Sequence, residues 1–287
     1  MLRKLLSSWE RANFYLRELL QLNLAIVMNR LGRDRFKAHD FNITDLQFEI
    51  PGLDSPFDGY RIAHITDLHL GHWLSPERLE GVVDLINQQK PDLVVMTGDY
   101  VSYVLHGIRD AMIASFRQLL PKDATLAVLG NHDHWMGAEH LRAIFEESGV
   151  TELANDIYTI PRGDSRLYIA GVDDITVGAH DLDQVLQKLP TDAPAILLAH
   201  EPDYAEISAK TGRFVLQLSG HSHGGQIVLP KIGALLRGPG FFKYPNGLYK
   251  VGKMKLYTNR GIGTHVFRLR YNCPPEIALI TLKAPTS

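Results

Sequence analysis

Cysteine is almost missing: Cys273 stands alone among 287 residues. One thiol cannot close an internal disulfide or build a cysteine-based zinc site. Long hydrophobic runs are missing too. The longest uncharged stretch near the N-terminus, residues 19–29, spans about 16 Å as a helix, against about 30 Å for a bilayer core. An excess of charge of one sign is also lacking. Thirty Lys and Arg face 32 Asp and Glu, a net charge of −2, so no global basic field points to nucleic acid. With 45% apolar and 22% charged residues and a mean hydropathy of −0.09, the chain is neither disordered, fibrous nor a polytopic membrane protein. What is abundant is histidine, with 13 copies.

The near-neutral total hides an asymmetry. Residues 1–40 carry eight basic and four acidic side chains, so a +4 leader precedes a −6 body. Leu2, Leu6, Trp9, Leu16, Leu20, Leu24, Val27 and Leu31 fall on one stripe at helical spacing. Arg3, Lys4, Arg11 and Arg17 lie off it, while Asn13 and Asn23 interrupt it. The pattern predicts a basic amphipathic helix over 1–40. Such a helix suits an anionic membrane surface; packing on the catalytic domain or on a partner subunit is the other reading. A cleavable signal is not indicated, because Arg30, Arg33 and Arg35 follow the apolar run where a small-residue cleavage site would stand.

From Phe41 on, residues 41–287 read as one α/β domain. Apolar strands are expected at 41–50, 60–66, 92–97, 124–129, 195–199 and 214–218, with a last one at 276–282. Helices are expected at 76–90, 108–120 and 138–148. Ser75 caps the first of these, Pro76 occupies its first turn, and Gly149 closes the third.

Five strands run straight into polar residues. They deliver Asp67 and His69, then Asp99, then Asn131 and His132, then His200, then His221 and His223. In open α/β sheets ligands bind beyond the carboxyl ends of strands, so these residues should converge. Carboxylates and imidazoles without thiolate suit Mn²⁺, Fe²⁺ or Zn²⁺ better than Ca²⁺. Eight candidates are too many for one tetrahedral ion and about right for two. Two ions about 3.5–4 Å apart can clamp the attacking and leaving oxygens of a phosphoryl displacement and acidify a water between them. Ser222 lies beside the histidines, but no Gly-x-Ser-x-Gly elbow supports a serine nucleophile.

Asp67-x-His69, Gly98-Asp99, Gly130-Asn131-His132-Asp133, His200 and Gly220-His221-x-His223 together resemble the ordered motifs of the calcineurin-like metallophosphoesterases. The resemblance covers about Tyr60 to Leu282. The Gly220–Gln226 and His200–Asp203 variants look like the YkuE/YaeI-type branch, related to LpxG-type UDP-2,3-diacylglucosamine pyrophosphatases. It implies a four-layer α/β/β/α sandwich. It implies a first metal on Asp67, His69 and His223, with Asp99 bridging to a second on Asn131, His200 and His221. Mn²⁺ is the expected ion, and His132 the catalytic histidine that assists the leaving oxygen.

Other residues carry weaker readings. His64 fits the core. Asp133 fits an orienting role or a cap. Asp173-Asp174 fits a solvated turn. Trp73, His134 and Arg260 are candidate substrate contacts; for His134 the rival is a surface or packing role, and for Arg260 a structural salt bridge. An apolar stretch, Ile232–Leu236 and Pro239–Tyr244, follows the last histidine motif. The expected activity is cleavage of a phosphodiester or pyrophosphate, with a membrane lipid or nucleotide-linked glycolipid preferred. The expected location is cytoplasmic, peripheral on the inner face of the membrane. A soluble nucleotide phosphodiesterase, a protein phosphatase and a non-catalytic scaffold are the alternatives. A nuclease is disfavoured by the acidic body.

Overall fold

The computed structural model describes residues 37–102, 107–234, 238–265 and 268–285. The helix expected over 1–40 falls almost wholly outside them; Ala38–Asp40 form a single 3₁₀ turn. Among the described residues no helix is long and apolar enough to cross a membrane.

Two six-stranded sheets face each other. The first holds β1 (Asn42–Glu49), β2 (Arg61–Ile65), β3 (Leu93–Thr97), β4 (Ala124–Val128), β5 (Thr151–Glu152) and β14 (Glu276–Lys283). Its order is β1-β14-β2-β3-β4-β5. The second holds β6 (Asp156–Arg162), β7 (Ser165–Gly171), β8 (Ala195–Leu198), β9 (Phe214–Ser219), β12 (Gly247–Val251) and β13 (Met254–Thr258), in the order β12-β13-β9-β8-β7-β6. A small hairpin, β10 (Val228–Leu229) with β11 (Gly233–Ala234), lies apart.

Strand alternation divides the core into three layers. Ile62, Leu93, Val95, Leu126 and Val128 point inward against Ile169, Ile196, Leu198, Leu216 and Leu218 of the second sheet. The intervening Ala63, Ile65, Val94, Met96 and Ala127 point outward under the helices Pro76–Gln88, Arg109–Arg117 and Ala138–Ser148. On the far side Tyr168, Ala170, Ala195, Leu197 and Leu256 pack with Val185 of the helix Leu182–Lys188 and with Tyr204. The result is the α/β/β/α sandwich. Strands buried on both faces are apolar along most of their length, which is why β3 reads Leu-Val-Val-Met before Thr97.

The helix boundaries follow local chemistry. The Ser75 hydroxyl accepts from Arg78 N at 3.3 Å, and Gly149 closes Ala138–Ser148 at φ 77°. His64 lies wholly buried, 2.9 Å from Thr97 Oγ1.

Parallel pairing of β2, β3 and β4, and of β8 and β9, sends all five carboxyl ends to one edge of the sandwich. β13 runs parallel to β9, so the segment after Thr258 arrives at that edge too.

Candidate metal centre

The edge residues form two adjoining groups. Asp67, His69 and His223 place one ligand atom each within 4.8 Å of one another, and so do Asp99, His200 and His221. The Asp99 carboxylate stands between the groups. Its Oδ2 is 3.5 Å from His69 Nε2 and 3.3 Å from His200 Nε2. Its Oδ1 accepts the His132 amide at 3.0 Å.

Lone pairs converge here. His69 Nε2 and His223 Nε2 are 3.0 Å apart, as are His221 Nδ1 and His200 Nε2. The outer ring nitrogens face acceptors. His200 Nδ1 lies 2.6 Å from Thr97 O and His221 Nε2 lies 3.0 Å from Pro239 O. A carbonyl can only accept, so those nitrogens carry a proton, and in the neutral rings the inner nitrogens are left to present lone pairs to a cation. His69 Nδ1 lies 2.9 Å from Ser102 Oγ, a hydroxyl that can donate or accept.

Two orphaned oxygens decide whether cations fit. Asp67 Oδ1 and Asn131 Oδ1 are buried with no hydrogen-bond partner. Leaving such groups unpaired costs about 1–3 kcal/mol each, and a divalent cation is the partner this donor set lacks. The oxygen and imidazole donors, free of thiolate, fit ions of the Mn²⁺, Fe²⁺ and Zn²⁺ class.

Electrostatics points the same way. Burial raises the Asp67 carboxyl to about 7, with His200 pulling it down and Asp99 pushing it up. Burial raises Asp99 too, but His200, His132 and His69 outweigh it and hold the carboxyl well below its usual range. Burial lowers His200, yet the adjacent Asp99 and Asp67 carboxylates hold it well above the ordinary imidazole value. The pocket favours positive charge between its carboxylates.

The backbone is bent to aim these groups. Asp67, His69, Asp99, His221 and His223 all sit at positive φ, between 44° and 66°. Each such non-glycine residue costs on the order of 1–3 kcal/mol and persists where the surroundings over-determine it. Asp133 supplies part of that constraint. Its carboxylate accepts Asp99 N at 2.8 Å, Tyr100 N at 2.9 Å and Gly130 N at 2.9 Å, tying the turn after β3 to the helix Asn131–Met136. Gly220 supplies another part. A Cβ there would run into Thr66 Oγ1 and Asp67 Oδ2. Gly220→Ala should therefore cost about 1–3 kcal/mol, read as a lowered urea midpoint; an unchanged midpoint would refute that packing.

The geometry is joined by sequence comparison. Residues 60–225 match the model of the calcineurin-like phosphoesterase family. The chain belongs to this family. It is 37% identical over 254 residues to the metallophosphoesterase YkuE of Bacillus subtilis, covering 86% of this chain and 87% of that one. It is 30% identical over 226 residues to phosphodiesterase YaeI of Escherichia coli, covering 78% and 82%. Among solved structures, the NAD nucleotidase NadN of Haemophilus influenzae aligns at a TM-score of 0.48 and 16% identity, over 70% of this chain and 50% of that one. Calcineurin-like phosphoesterases bind two divalent metals and hydrolyse phosphoesters with them. The chain is a metal-dependent phosphoester hydrolase.

A cavity of about 350 Å³ opens over the candidate centre. Asp99, Asn131, His132, His221 and His223 line its floor, and Trp135, Thr176, Pro239, Phe241 and His265 its walls. The three substrate contacts named from sequence lie elsewhere. Trp73 packs on Phe41 at 5.9 Å, with the Arg78 guanidinium 4.0 Å over its ring. His134 Nε2 pairs with Asp173 Oδ1 at 2.6 Å, which raises its pKa. Arg260 Nε pairs with the buried Glu276 at 3.2 Å, on a separate cavity behind the centre. A strong local partner claims the polar or charged group in two of the cases, and packing holds the ring in the third.

The sequence reading missed Trp135 and His265. Trp135 was signalled: it follows His132 by three residues in one helix, so the two share a face, and their rings lie 4.7 Å apart. His265 had no local signal.

Proposed function

We propose that the protein is a phosphodiesterase or pyrophosphatase acting on a diester or diphosphate that carries an apolar group. The observation behind this reading is the cavity lining. It contains no Lys or Arg among the described residues, while Trp135, Pro239 and Phe241 form an apolar wall. A terminal phosphate monoester brings a second negative charge that this wall leaves uncompensated. A diester brings one charge, as does each phosphorus of a diphosphate diester, together with a further substituent for the wall to hold. Lipids and nucleotide-linked glycolipids such as UDP-2,3-diacylglucosamine have that chemistry. The +4 leader suits the anionic surface on which they reside.

Asp67, His69, Asp99 and His223 would hold one ion, and Asp99, Asn131, His200 and His221 the other. When bound, the pair supplies Lewis-acid charge to the phosphoryl group and makes hydroxide accessible near neutral pH. The chain does the remaining work. Asp99 fixes the spacing of the two groups. The ring of His132 stands at the cavity beside His69, at 4.9 Å and edge-on, with Nδ1 directed at Ser102 O at 3.3 Å. With Nδ1–H on that carbonyl, it is the protonated, imidazolium form of His132 that would pass its Nε2 proton to the leaving oxygen. Trp135 packs on the same ring and shields it from bulk water.

With Mn²⁺ supplied, bis-p-nitrophenyl phosphate should be turned over with a kcat/KM at least about tenfold above that of p-nitrophenyl phosphate, a difference of about 1.4 kcal/mol. Preference for the monoester would overturn the reading. A panel with UDP-2,3-diacylglucosamine and soluble nucleotide diesters then distinguishes the lipid-linked class from the soluble one.

A further inference from the structure

The segment after β13 is laid against the turn that carries Asp67. Ile262 N donates to Thr66 O at 3.0 Å and Gly263 N to Asp67 O at 2.7 Å. Contact is so close that a Cβ at Gly261 would stand 2.7 Å from Asp67 Cβ. Arg270 ties the segment down from behind, its Nη2 on Gly263 O at 2.6 Å and on Arg260 O at 2.8 Å. His72 Nδ1 sits 2.9 Å from Thr264 Oγ1. The next residue, His265, is thereby delivered over the centre, its amide held by Gln226 Oε1 at 2.8 Å.

Its ring meets three histidines of the site. The centroids are 4.8 Å from His132, 5.5 Å from His69 and 5.8 Å from His223. It lines the cavity. Its Nδ1 is buried with no hydrogen-bond partner. A polar ring that lines the cavity beside His132, held by this much surrounding structure, is placed to meet a ligand. Cavity walls without Lys or Arg leave neutral donors to meet the substrate's oxygens.

We propose that His265 is a substrate-contacting residue whose imidazole hydrogen bonds to a non-bridging phosphoryl oxygen, beside His132. The inference rests on the two-metal phosphoesterase reading for the identity of the ligand. A metal-ligand role is the rival, and the metal content of the His265→Ala variant decides between the two. His265 forms a ligand group with His69 and His132, while Asp67 and Asp99 belong to the other two groups.

The test uses the full-length Mn²⁺-loaded protein, His265→Ala and His265→Gln. Three quantities are read: Mn²⁺ per chain, affinity for inorganic phosphate by calorimetry, and KM and kcat on bis-p-nitrophenyl phosphate. For His265→Ala the metal content stays at the wild-type level. Phosphate binding weakens about tenfold and KM rises about tenfold, the scale of one hydrogen bond to a charged oxygen. The kcat changes by less than about threefold, as loss of uniform binding requires. His265→Gln, which keeps an N–H within reach, recovers part of both losses. Wild-type phosphate affinity in His265→Ala overturns the proposal, as does reduced metal content or a Gln variant no better than Ala. If wild type fails to cleave the diester, the substrate reading fails and the phosphate measurement still judges His265.

Discussion

Asp99→Asn is expected to lower metal-dependent kcat/KM by at least about a thousandfold, about 4 kcal/mol of transition-state stabilisation. Bound metal should fall to half the wild-type level or less. The reason is position. Asp99 Oδ2 lies within 3.5 Å of one histidine from each ligand group, so one atom serves both. The amide keeps the size and the Oδ1 acceptor for the His132 amide but removes the negative charge. Because shape is kept, circular dichroism should be unchanged while elemental analysis and turnover both drop. A variant that retains both metals and activity would show that Asp99 does not bridge.

His132→Ala should separate chemistry from metal binding. Its side chain belongs to neither carboxylate-bearing group, so metal content should hold. The kcat should fall by about 10²–10⁴, the usual worth of a positioned proton donor. The loss should be larger for an alkyl leaving group than for p-nitrophenolate, which needs little protonation. Equal losses for both leaving groups would mean that His132 acts on the phosphoryl oxygens instead.

The elements that position the centre were legible in the sequence because parallel strands buried on two faces are apolar along most of their length. β2, β3, β4, β8 and β9 each announce themselves as such a run ending in Asp, Asn or His. The helix Asn131–Met136 was not legible. Its residues are site groups with no apolar periodicity, and it is started by the Asp133 carboxylate reaching back to Gly130 N. The left-handed conformations at Asp67, His69, Asp99, His221 and His223 were equally hidden: flanking glycines mark tight turns, but the positive φ falls on the ligands themselves. Arg260 has the right chemistry for phosphate. Only the fold shows Glu276, sixteen residues later, holding it by Nε and by its backbone amide. His265 illustrates the opposite case. It lies nearly two hundred residues beyond His69 in the chain and reaches the site through β13 pairing with β9, a long-range event that leaves no local pattern.

The central claim is that two divalent ions occupy one continuous site and carry the hydrolysis. It is tested most directly by titrating chelator-stripped wild-type protein with Mn²⁺ while following bound metal and cleavage of bis-p-nitrophenyl phosphate. The account predicts two ions per chain, with full turnover reached only as the second binds. One ion at saturation, or turnover that persists without metal, would contradict it.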